Sequence, residues 1–376
     1  MSKYGYYLGM TPEQQDIVKM IREFAERELD PVVKEYDEKG EFPVQLHEKW
    51  GEMGLFGLDV PEQYGGLGLN AVTRYCISEE LAKHDAGFTI SNNSYSFGLS
   101  AILADGTEAQ KQAACARILR GEGISMAITE PQSGSDVGST RTSAKKVDGG
   151  YVLNGVKCFI TNATLCSACV VLAVTNPDAG YHGMSLLLVE KSDAGVSVGK
   201  HEDKMGIRLS DTADFVMEDV FVPADRLIGT EGNGFAQTMK FLAGKRPVSV
   251  AGRALDLAVD YARERSFKHG PIAKLEGIQF LIADMEMRIQ ASRAMAVYGA
   301  QMTDAGIPIG TLGNSLKCFA SEMCYDVVNM GLQVFAGYGY SREYPLEKLL
   351  RDARIYSIFE GTNQVQRQVI GKTLLG

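Results

Sequence analysis

The carboxylate with the clearest chemical potential in this 376-residue chain is Glu360, in the stretch IYSIFEGTNQVQRQ near the C-terminus. Ile358 and Phe359 precede it, and Gly361 and Thr362 follow it. A carboxylate among apolar side chains binds a proton more readily than one in water, which suits a general base. A solvated loop glutamate would fit the same residues. The stretch alone therefore provides a candidate base without establishing one.

Two further stretches could bind a polar, planar ligand. Residues 128–136, ITEPQSGSD, form a turn rich in hydroxyl groups, and such turns bind ligands through side-chain oxygens and backbone N–H groups. In KCFITNA, residues 157–163, Phe159 and Thr161 are two apart. On a strand they would face the same side and offer a ring and a hydroxyl. Ordinary hairpin turns and a core strand explain the same patterns equally well.

A third stretch, QVFAGYGY at residues 333–340, is predicted to be a helix that ends in glycines. Gly337 and Gly339 would let a phosphate or ribose approach the backbone closely. The pattern is no dinucleotide fingerprint, because it follows a helix rather than a strand and lacks a further glycine. A helix C-cap is an equally good interpretation.

Composition and charge narrow the class of protein. Hydrophobic residues make up 45% and charged residues 23%, which is typical of a globular enzyme with two or three packed units at this length. The formal net charge of −9 argues against nucleic-acid binding. No apolar run approaches the roughly 18 residues that would span a membrane, so no membrane insertion is expected. The first residues resemble neither a secretion signal nor a transit peptide, and we expect a cytoplasmic protein.

Seven cysteines, scattered along the chain and odd in number, do not suggest a disulfide framework. Cys166 and Cys169 form a C-x-x-C without a second pair, and an apolar run follows them. We expect both to be small buried residues that lead into a strand. The five histidines show no metal-binding spacing, so no metal site is expected.

The chain divides into three parts by pattern. Residues 1–122 read as helical, beginning with Thr11 as an N-cap, Pro12 at the first helical position and Gln14 completing a capping box. Residues 123–233 contain short apolar runs separated by Gly, Asn, Asp and Pro, which predicts an antiparallel β domain. Residues 234–376 return to long helical periodicity. The predicted fold is therefore an α+β multidomain protein with the order helices, β-sheet, helices.

Taken together, TEPQSGSD, FITNA and YSIFEGTNQVQR, in this order across the chain, resemble the acyl-CoA dehydrogenase family. The stretches SNNSYSFG and KHEDKMGIRLSDTADFVMEDV are most similar to its short-chain, butyryl-type members. The resemblance implies a homotetramer with one FAD per subunit, held between the β and C-terminal domains. It also implies oxidation of a saturated acyl-CoA thioester to the trans-2-enoyl-CoA, with an electron-transfer flavoprotein as acceptor.

In this family's roles, Glu360 would remove the α-proton while a hydride leaves the β-carbon for flavin N5. The Glu360 backbone N–H and a ribityl hydroxyl would hold the thioester carbonyl. The arrangement is physically sensible, since an α-C–H beside a thioester is a weak acid that needs both a positioned base and stabilisation of the developing charge. Gly361 would leave room for the ligand.

The resemblance also assigns the remaining site residues. Asn92 and Asn93, with Ser91, would lie near the pocket floor, and Arg246 would line the CoA channel. Ser135 would contact both cofactor and CoA. The other FAD contacts would come from Thr129, Phe159, Thr161, Thr362 and Gln364 within the subunit, and from Arg265, Gln333 and Gly337 towards the FAD of the neighbouring subunit.

Several positions depart from the usual family pattern. Phe159 stands where most members have tryptophan, the helix after Arg246 is shorter than usual, and the family's Arg-x-x-Phe-Gly reads RSFKHG here. These last two departures affect the cross-subunit contact expected of Arg265. In a minority of members the base lies on another helix, but Lys245 occupies that position here, which leaves Glu360 as the candidate.

The acyl group is left open by the sequence. Thr89 occupies the place of an arginine in the glutaryl-CoA subgroup, which argues against a dicarboxylic substrate. The polar Ser91–Asn93 stretch suits a short acyl chain, although a cyclic or aryl group could also be accommodated. An enoyl-CoA reductase, an oxidase and a non-catalytic binding protein are alternatives, the last disfavoured by the intact EGT at residues 360–362.

Overall fold

A computed structural model of the chain describes residues 10–241 and 249–376. The capping box predicted at the first helix is confirmed: the Gln14 N–H donates to Thr11 Oγ1 at 3.3 Å, and the Thr11 N–H donates to Gln14 Oε1 at 2.9 Å.

The N-terminal part contains α1 (Pro12–Phe24), continued by a π-helical segment (Ala25–Leu29), and then α2 (Val33–Lys39), α3 (Val44–Glu52), α4 (Ala71–His84), α5 (Ala86–Ser94), α6 (Phe97–Asp105) and α7 (Glu108–Leu119).

The middle part is one sheet with the strand order β6-β7-β3-β2-β4-β5-β8 and with β1 beside β4. Neighbouring strands are antiparallel as predicted, except that β1 runs parallel to β4 and β2 meets β4 in parallel at one residue pair. The strands are β1 (Ile124–Ala127), β2 (Ser143–Val147), β3 (Gly150–Thr161), β4 (Ala168–Val174), β5 (Met184–Glu190), β6 (Val196–His201), β7 (Thr212–Pro223) and β8 (Leu227–Ile228).

The apolar run of β4 is explained by cover on both of its faces. Val171 packs into the core between the strands, whereas Val170 and Leu172 pack against Leu99 and Ile118 of α6 and α7. A strand covered on both faces loses the alternation of apolar and polar residues that a half-exposed strand shows. Cys166 and Cys169 are buried in the same core with their sulfurs 3.7 Å apart, which confirms the prediction made for them.

The C-terminal part is again helical, so the predicted order of helices, sheet and helices is confirmed. The domain limits at residues 123 and 234 stay predictions, and Lys245 and Arg246 lie outside the described residues. This part contains α8 (Gly234–Phe241), α9 (Ser249–Glu264), a short hairpin of β9 (Ser266–Phe267) and β10 (Gly270–Pro271), α10 (Glu276–Asp304), α11 (Thr311–Phe335), α12 (Leu346–Ile355) and α13 (Asn363–Leu375).

A buried ion cluster joins the three parts of the chain. The Lys348 ammonium on α12 lies 2.6 Å from Asp85, the N-cap of α5, and 2.6 Å from Asp352 on its own helix. Asp352 also accepts the backbone N–H of Ile207, in the segment between β6 and β7, at 2.5 Å. Burial alone would lower the pKa of Lys348, but the two carboxylates raise it, so the ammonium stays charged.

A second buried ion pair holds the loop after β1 against β3. The Lys157 ammonium donates to Glu130 at 2.7 Å and to the carbonyl of Ile128 at 2.9 Å. Glu130 also accepts the backbone N–H groups of Arg141 at 2.7 Å and Thr142 at 2.9 Å. The acid in ITEPQSGSD at position 130 is therefore a structural group that shapes the loop.

Among the described residues, no helix combines the length and apolar character needed to cross a membrane. The same residues contain no cluster of three or more His, Cys, Asp or Glu side chains that could hold a metal ion.

We expect Lys348→Met to destabilise the protein by about 3–5 kcal/mol, because it leaves two buried carboxylates without their cation. Thermal and urea unfolding, followed by circular dichroism, measure the change. The matched control is Lys39→Met, whose exposed ammonium pairs with Glu35 and whose loss should change the unfolding midpoint little. Equal effects of the two substitutions would contradict a structural role for the Lys348 cluster.

We expect the stabilising effect of Glu130 to depend on pH. Burial raises the pKa of Glu130, but the Lys157 ammonium and the N–H donors outweigh burial and lower it from 4.5 to about 2. The ionised group therefore stabilises the fold above pH 4.5, and this contribution is lost as the pH falls from 4.5 towards about 2.

Melting temperatures of the wild type and Glu130→Gln across this pH range test the dependence. The variant should be less stable at neutral pH, and the difference should shrink on acidification. Glu218→Gln, which changes an exposed carboxylate on β7, is the control and should follow the wild type. A difference that stays constant with pH would show that the Glu130 charge is not the cause.

Candidate active site

Glu360 lies in the short loop between α12 and α13, and its backbone is held in an unusual conformation. Glu360 has φ 51° and Gly361 has φ 87°, both in the left-handed region that most side chains disfavour. The Gln366 amide donates to the carbonyls of both residues at 3.3 Å, and Asn314 in turn donates to Gln366 at 2.5 Å. Strain of this kind persists where the surrounding contacts hold it, and it is common at active sites.

The start of α13 is fixed to α11 through Asn363. The Lys317 ammonium donates to the Asn363 side-chain oxygen at 2.8 Å, and the Asn363 amide donates to Ser321 at 2.9 Å and Glu322 at 3.0 Å. Asn363 and Lys317 are both buried. The loop that carries Glu360 is therefore anchored to α13 through Gln366 and to α11 through Asn363.

Glu360 and Phe359 form part of the wall of a cavity of about 230 Å³. The remaining wall comes from the segment Leu55–Asp59 and helices α3 to α7 on one side, and from α10 and α11 on the other. Asn92 and Asn93 line the same cavity, so the structure brings these two predicted residues together with Glu360.

The two asparagines are engaged by neighbouring side chains. Asn92 accepts from His47 Nδ1 at 2.9 Å and donates to the carbonyl of Phe88 at 2.8 Å. Asn93 donates to the Ser78 hydroxyl at 3.1 Å and accepts from it at 3.3 Å. Burial lowers the pKa of His47, so this ring is neutral and its Nδ1–H is the donor. These contacts fix the shape of the cavity wall.

The residues predicted to contact a flavin ring lie at the end of β3 and on the loop after β1. The backbone N–H of Cys158 donates to the carbonyl of Thr129 at 2.9 Å, which places Thr129 beside the segment that carries Phe159 and Thr161. Phe159 has φ 57° at an irregularity of the strand, and its ring is 61% exposed between the buried Cys158 and Ile160.

This surface has the composition that an FAD ring system needs. Within residues 10–241 and 249–376, the hydroxyls of Thr129, Ser135 and Thr161 make no hydrogen bond to another residue. An exposed aromatic face next to available hydroxyls suits a flat ligand with polar edges. The residues present therefore fit the isoalloxazine of FAD.

Thr362 and Gln364 lie at the beginning of α13. Thr362 is the N-cap of the helix and accepts the Val365 N–H at 3.3 Å, whereas the Gln364 side chain is exposed. The N-terminus of a helix favours anions, which is compatible with a nearby phosphate.

Arg265, Gln333 and Gly337 form a separate exposed group at the ends of α9 and α11. The Arg265 guanidinium lies 5.6 Å from the centre of the Tyr338 ring. Arg265 therefore lies beside the glycine-containing turn, although the RSFKHG segment departs from the family pattern. A side chain built at Gly337 would meet nothing within 4 Å, which means that this turn is open to a ligand.

Sequence reasoning missed an ion pair in the cavity wall. Arg74 on α4 donates to Asp59 at 3.3 Å, and both line the cavity beside Ser96. A glycine-rich loop separates Asp59 from Arg74 in the chain, and neither belongs to a motif. The available signal in the sequence was an acidic and a basic residue on either side of this loop. The same pattern occurs on solvated surfaces, so it does not predict that the two residues line a cavity.

Comparison with known protein families covers nearly the whole chain. Three family models match in order: the acyl-CoA dehydrogenase N-terminal domain at residues 11–122, the middle domain at residues 125–220 and the C-terminal domain at residues 232–375.

Individual relatives match over all or nearly all of their length. An acyl-CoA dehydrogenase of Bacillus subtilis (strain 168) is 40% identical over 98% of this chain and 100% of its own. An acryloyl-CoA reductase (NADH) of Anaerotignum propionicum is 39% identical over 98% of this chain and 95% of its own. The solved structure of butyryl-CoA dehydrogenase from Megasphaera elsdenii has a TM-score of 0.93 and 37% identity, covering 99% of this chain and 100% of that one.

These matches agree with the geometry of the site: a glutamate held at a cavity, a surface suited to a flavin, and the three-part fold. The chain belongs to the acyl-CoA dehydrogenase family and is an FAD-dependent oxidoreductase.

Proposed function

We propose that this protein oxidises a saturated acyl-CoA thioester to the 2-enoyl-CoA, with Glu360 as the base that takes the α-proton. The observation that carries the proposal is the position of Glu360, on an anchored loop in the wall of a largely apolar cavity. In this proposal the cavity holds the acyl group, and the backbone of Gly361 lies beside the thioester. Ser135 and Arg246 are the proposed contacts to the CoA portion.

The fixed loop matters for the chemistry because proton removal from carbon is slow unless the base is positioned at the reacting atom. Holding the carboxylate within reach of the α-carbon replaces an encounter in solution by a prearranged contact. A bound acyl group would displace water from the cavity, so the carboxylate would meet the α-proton rather than solvent.

FAD, when bound, supplies the acceptor for the hydride that leaves the β-carbon. Thr129, Phe159 and Thr161 are proposed to bind its ring system, with Ser135, Thr362 and Gln364 contacting its remaining parts. Phe159 offers a flat face but lacks the indole N–H of tryptophan. The polar contacts to the flavin ring are therefore proposed to come from the two threonine hydroxyls and the backbone.

The proposed assembly is a homotetramer in which Arg265, Gln333 and Gly337 contact the FAD of a neighbouring subunit. Large apolar side chains exposed on α10 support an interface on this helix: Phe280 at 61%, Met287 at 62% and Tyr298 at 58% exposure. An electron-transfer flavoprotein is the proposed electron acceptor, and the cytoplasm is the proposed location.

A second candidate is an enoyl-CoA reductase, and the likeness to the acryloyl-CoA reductase (NADH) supports it. In that direction Glu360 would carry the proton and deliver it to the α-carbon. Rapid oxidation of the reduced holoenzyme by crotonyl-CoA, together with slow reduction by butyryl-CoA, would favour the reductase.

We expect Glu360→Gln to keep FAD but to lose flavin reduction by roughly 10³-fold, the size typical of a lost general base. The amide has nearly the shape of the carboxylate, but it cannot accept the α-proton. Bleaching of the flavin absorbance after anaerobic mixing with butyryl-CoA measures the rate, and the ratio of flavin to protein absorbance measures retained FAD.

Glu276→Gln is the matched control, because it changes an exposed carboxylate in the first turn of α10 that is not part of the cavity wall. Its reduction rate should equal that of the wild type. Wild-type reduction by the Glu360→Gln protein would remove Glu360 from the role of base. A wild-type flavin that no acyl-CoA reduces would reject the dehydrogenase itself.

A further inference from the structure

The cavity beside Glu360 is larger than a short acyl chain requires. Its volume is about 230 Å³, whereas an apolar protein cavity of roughly 150 Å³ already holds a benzene molecule. Among the described residues, none from the β-sheet or the loop after β1, which carry the residues proposed for the flavin ring, lines this cavity. The volume therefore belongs to the acyl side of the site, and a butyryl group would fill only part of it.

Aromatic rings occupy part of the cavity wall, beside leucine and isoleucine side chains. Phe56 and Tyr95 are stacked with their ring centres 5.4 Å apart, and Trp50, Phe97 and Phe359 line the same space. Aromatic side chains pack against a flat ring in stacked or edge-to-face arrangements that an alkyl chain does not exploit. The aromatic part of the wall therefore suits an aryl group.

A polar cluster interrupts this aromatic wall. Arg74 donates to one oxygen of Asp59 at 3.3 Å, and the Ser96 hydroxyl donates to the other oxygen at 2.6 Å. Asp59 and Arg74 also line an outer groove together with Leu58, so the pair separates the cavity from that groove. Glu360 lines the cavity but not the groove, which places the pair on a different part of the wall from the base.

The pair offers both hydrogen-bonding functions at one place. A guanidinium can only donate and an ionised carboxylate can only accept, whereas a hydroxyl group does both. A neutral hydroxyl can therefore bind Arg74 and Asp59 together. An anionic group would meet the negative charge of Asp59, and an alkyl end would leave the pair facing an apolar surface at a cost.

We propose that the cavity accepts an aryl-bearing acyl group with a hydroxyl on its ring, and that Arg74 and Asp59 bind this hydroxyl. The inference deepens the proposed function and rests on it, since it assigns the acyl group whose α-proton Glu360 removes. Arg74 is in this view a residue that determines specificity, separate from the proton-transfer step.

Binding of enoyl thioesters to the FAD-loaded protein tests the proposal without turnover. Calorimetry should show that 4-hydroxycinnamoyl-CoA binds about tenfold or more tightly than cinnamoyl-CoA, the effect expected of a hydrogen bond to a charged group. Arg74→Leu should lower this ratio, because only Asp59 is then left to bind the hydroxyl. Arg120→Leu, which removes an exposed guanidinium that is not part of the cavity wall, should keep the ratio.

A second variant probes the charge. Asp59→Asn removes the negative charge beside Arg74, so 4-carboxycinnamoyl-CoA should bind more tightly to this variant than to the wild type. This gain of affinity keeps the proposal testable if Arg74→Leu fails to fold or to retain FAD.

Two results would overturn the inference: equal wild-type affinities for the hydroxylated and plain thioesters, or an unchanged preference in a folded Arg74→Leu protein. Failure of the proposed function would be seen in a different experiment. A flavin that no acyl-CoA reduces would reject the dehydrogenase, whereas the ratio of the two thioester affinities could still be measured.

Discussion

The ion cluster of Lys348, Asp85 and Asp352 is the contact on which the geometry of the site depends. It is buried and links a helix of the C-terminal part to the N-terminal part, and through the Ile207 N–H to the β domain. Because an unpaired buried charge is costly, the three parts are strongly favoured to meet in one arrangement. The cluster therefore favours one relative position of the three parts. Apolar contacts are non-directional and favour a single position less strongly.

This arrangement places the two walls of the cavity opposite each other. Asp85 caps α5 by accepting the Phe88 N–H at 2.6 Å, and α5 carries Asn92 and Asn93. Lys348 and Asp352 lie on α12, which ends at Ile355 just before the Glu360 loop. One cluster thus positions both the α5 side of the cavity wall and the loop that carries Glu360, and the Gln366 and Asn363 contacts then fix the loop itself.

The fold was largely predictable because its signals are local. The capping box at Thr11, the short apolar runs of the sheet and the buried Cys166–Cys169 pair all depend on residues close together in the chain. Parallel pairing of β1 with β4 was not predictable, since nothing in a four-residue strand indicates its partner. The role of Glu130 was also hidden, because Lys157, 27 positions away, determines it.

The sequence by itself determined the family, the order of the domains and the identity of Glu360 as the candidate base, because these follow from motifs that are contiguous in the chain. Only the tertiary structure decided the left-handed backbone of Glu360, the burial that lowers the pKa of His47, and the meeting of Asp59 with Arg74 in the cavity wall. Such features arise where segments distant in sequence pack together, and packing is a property of the folded chain.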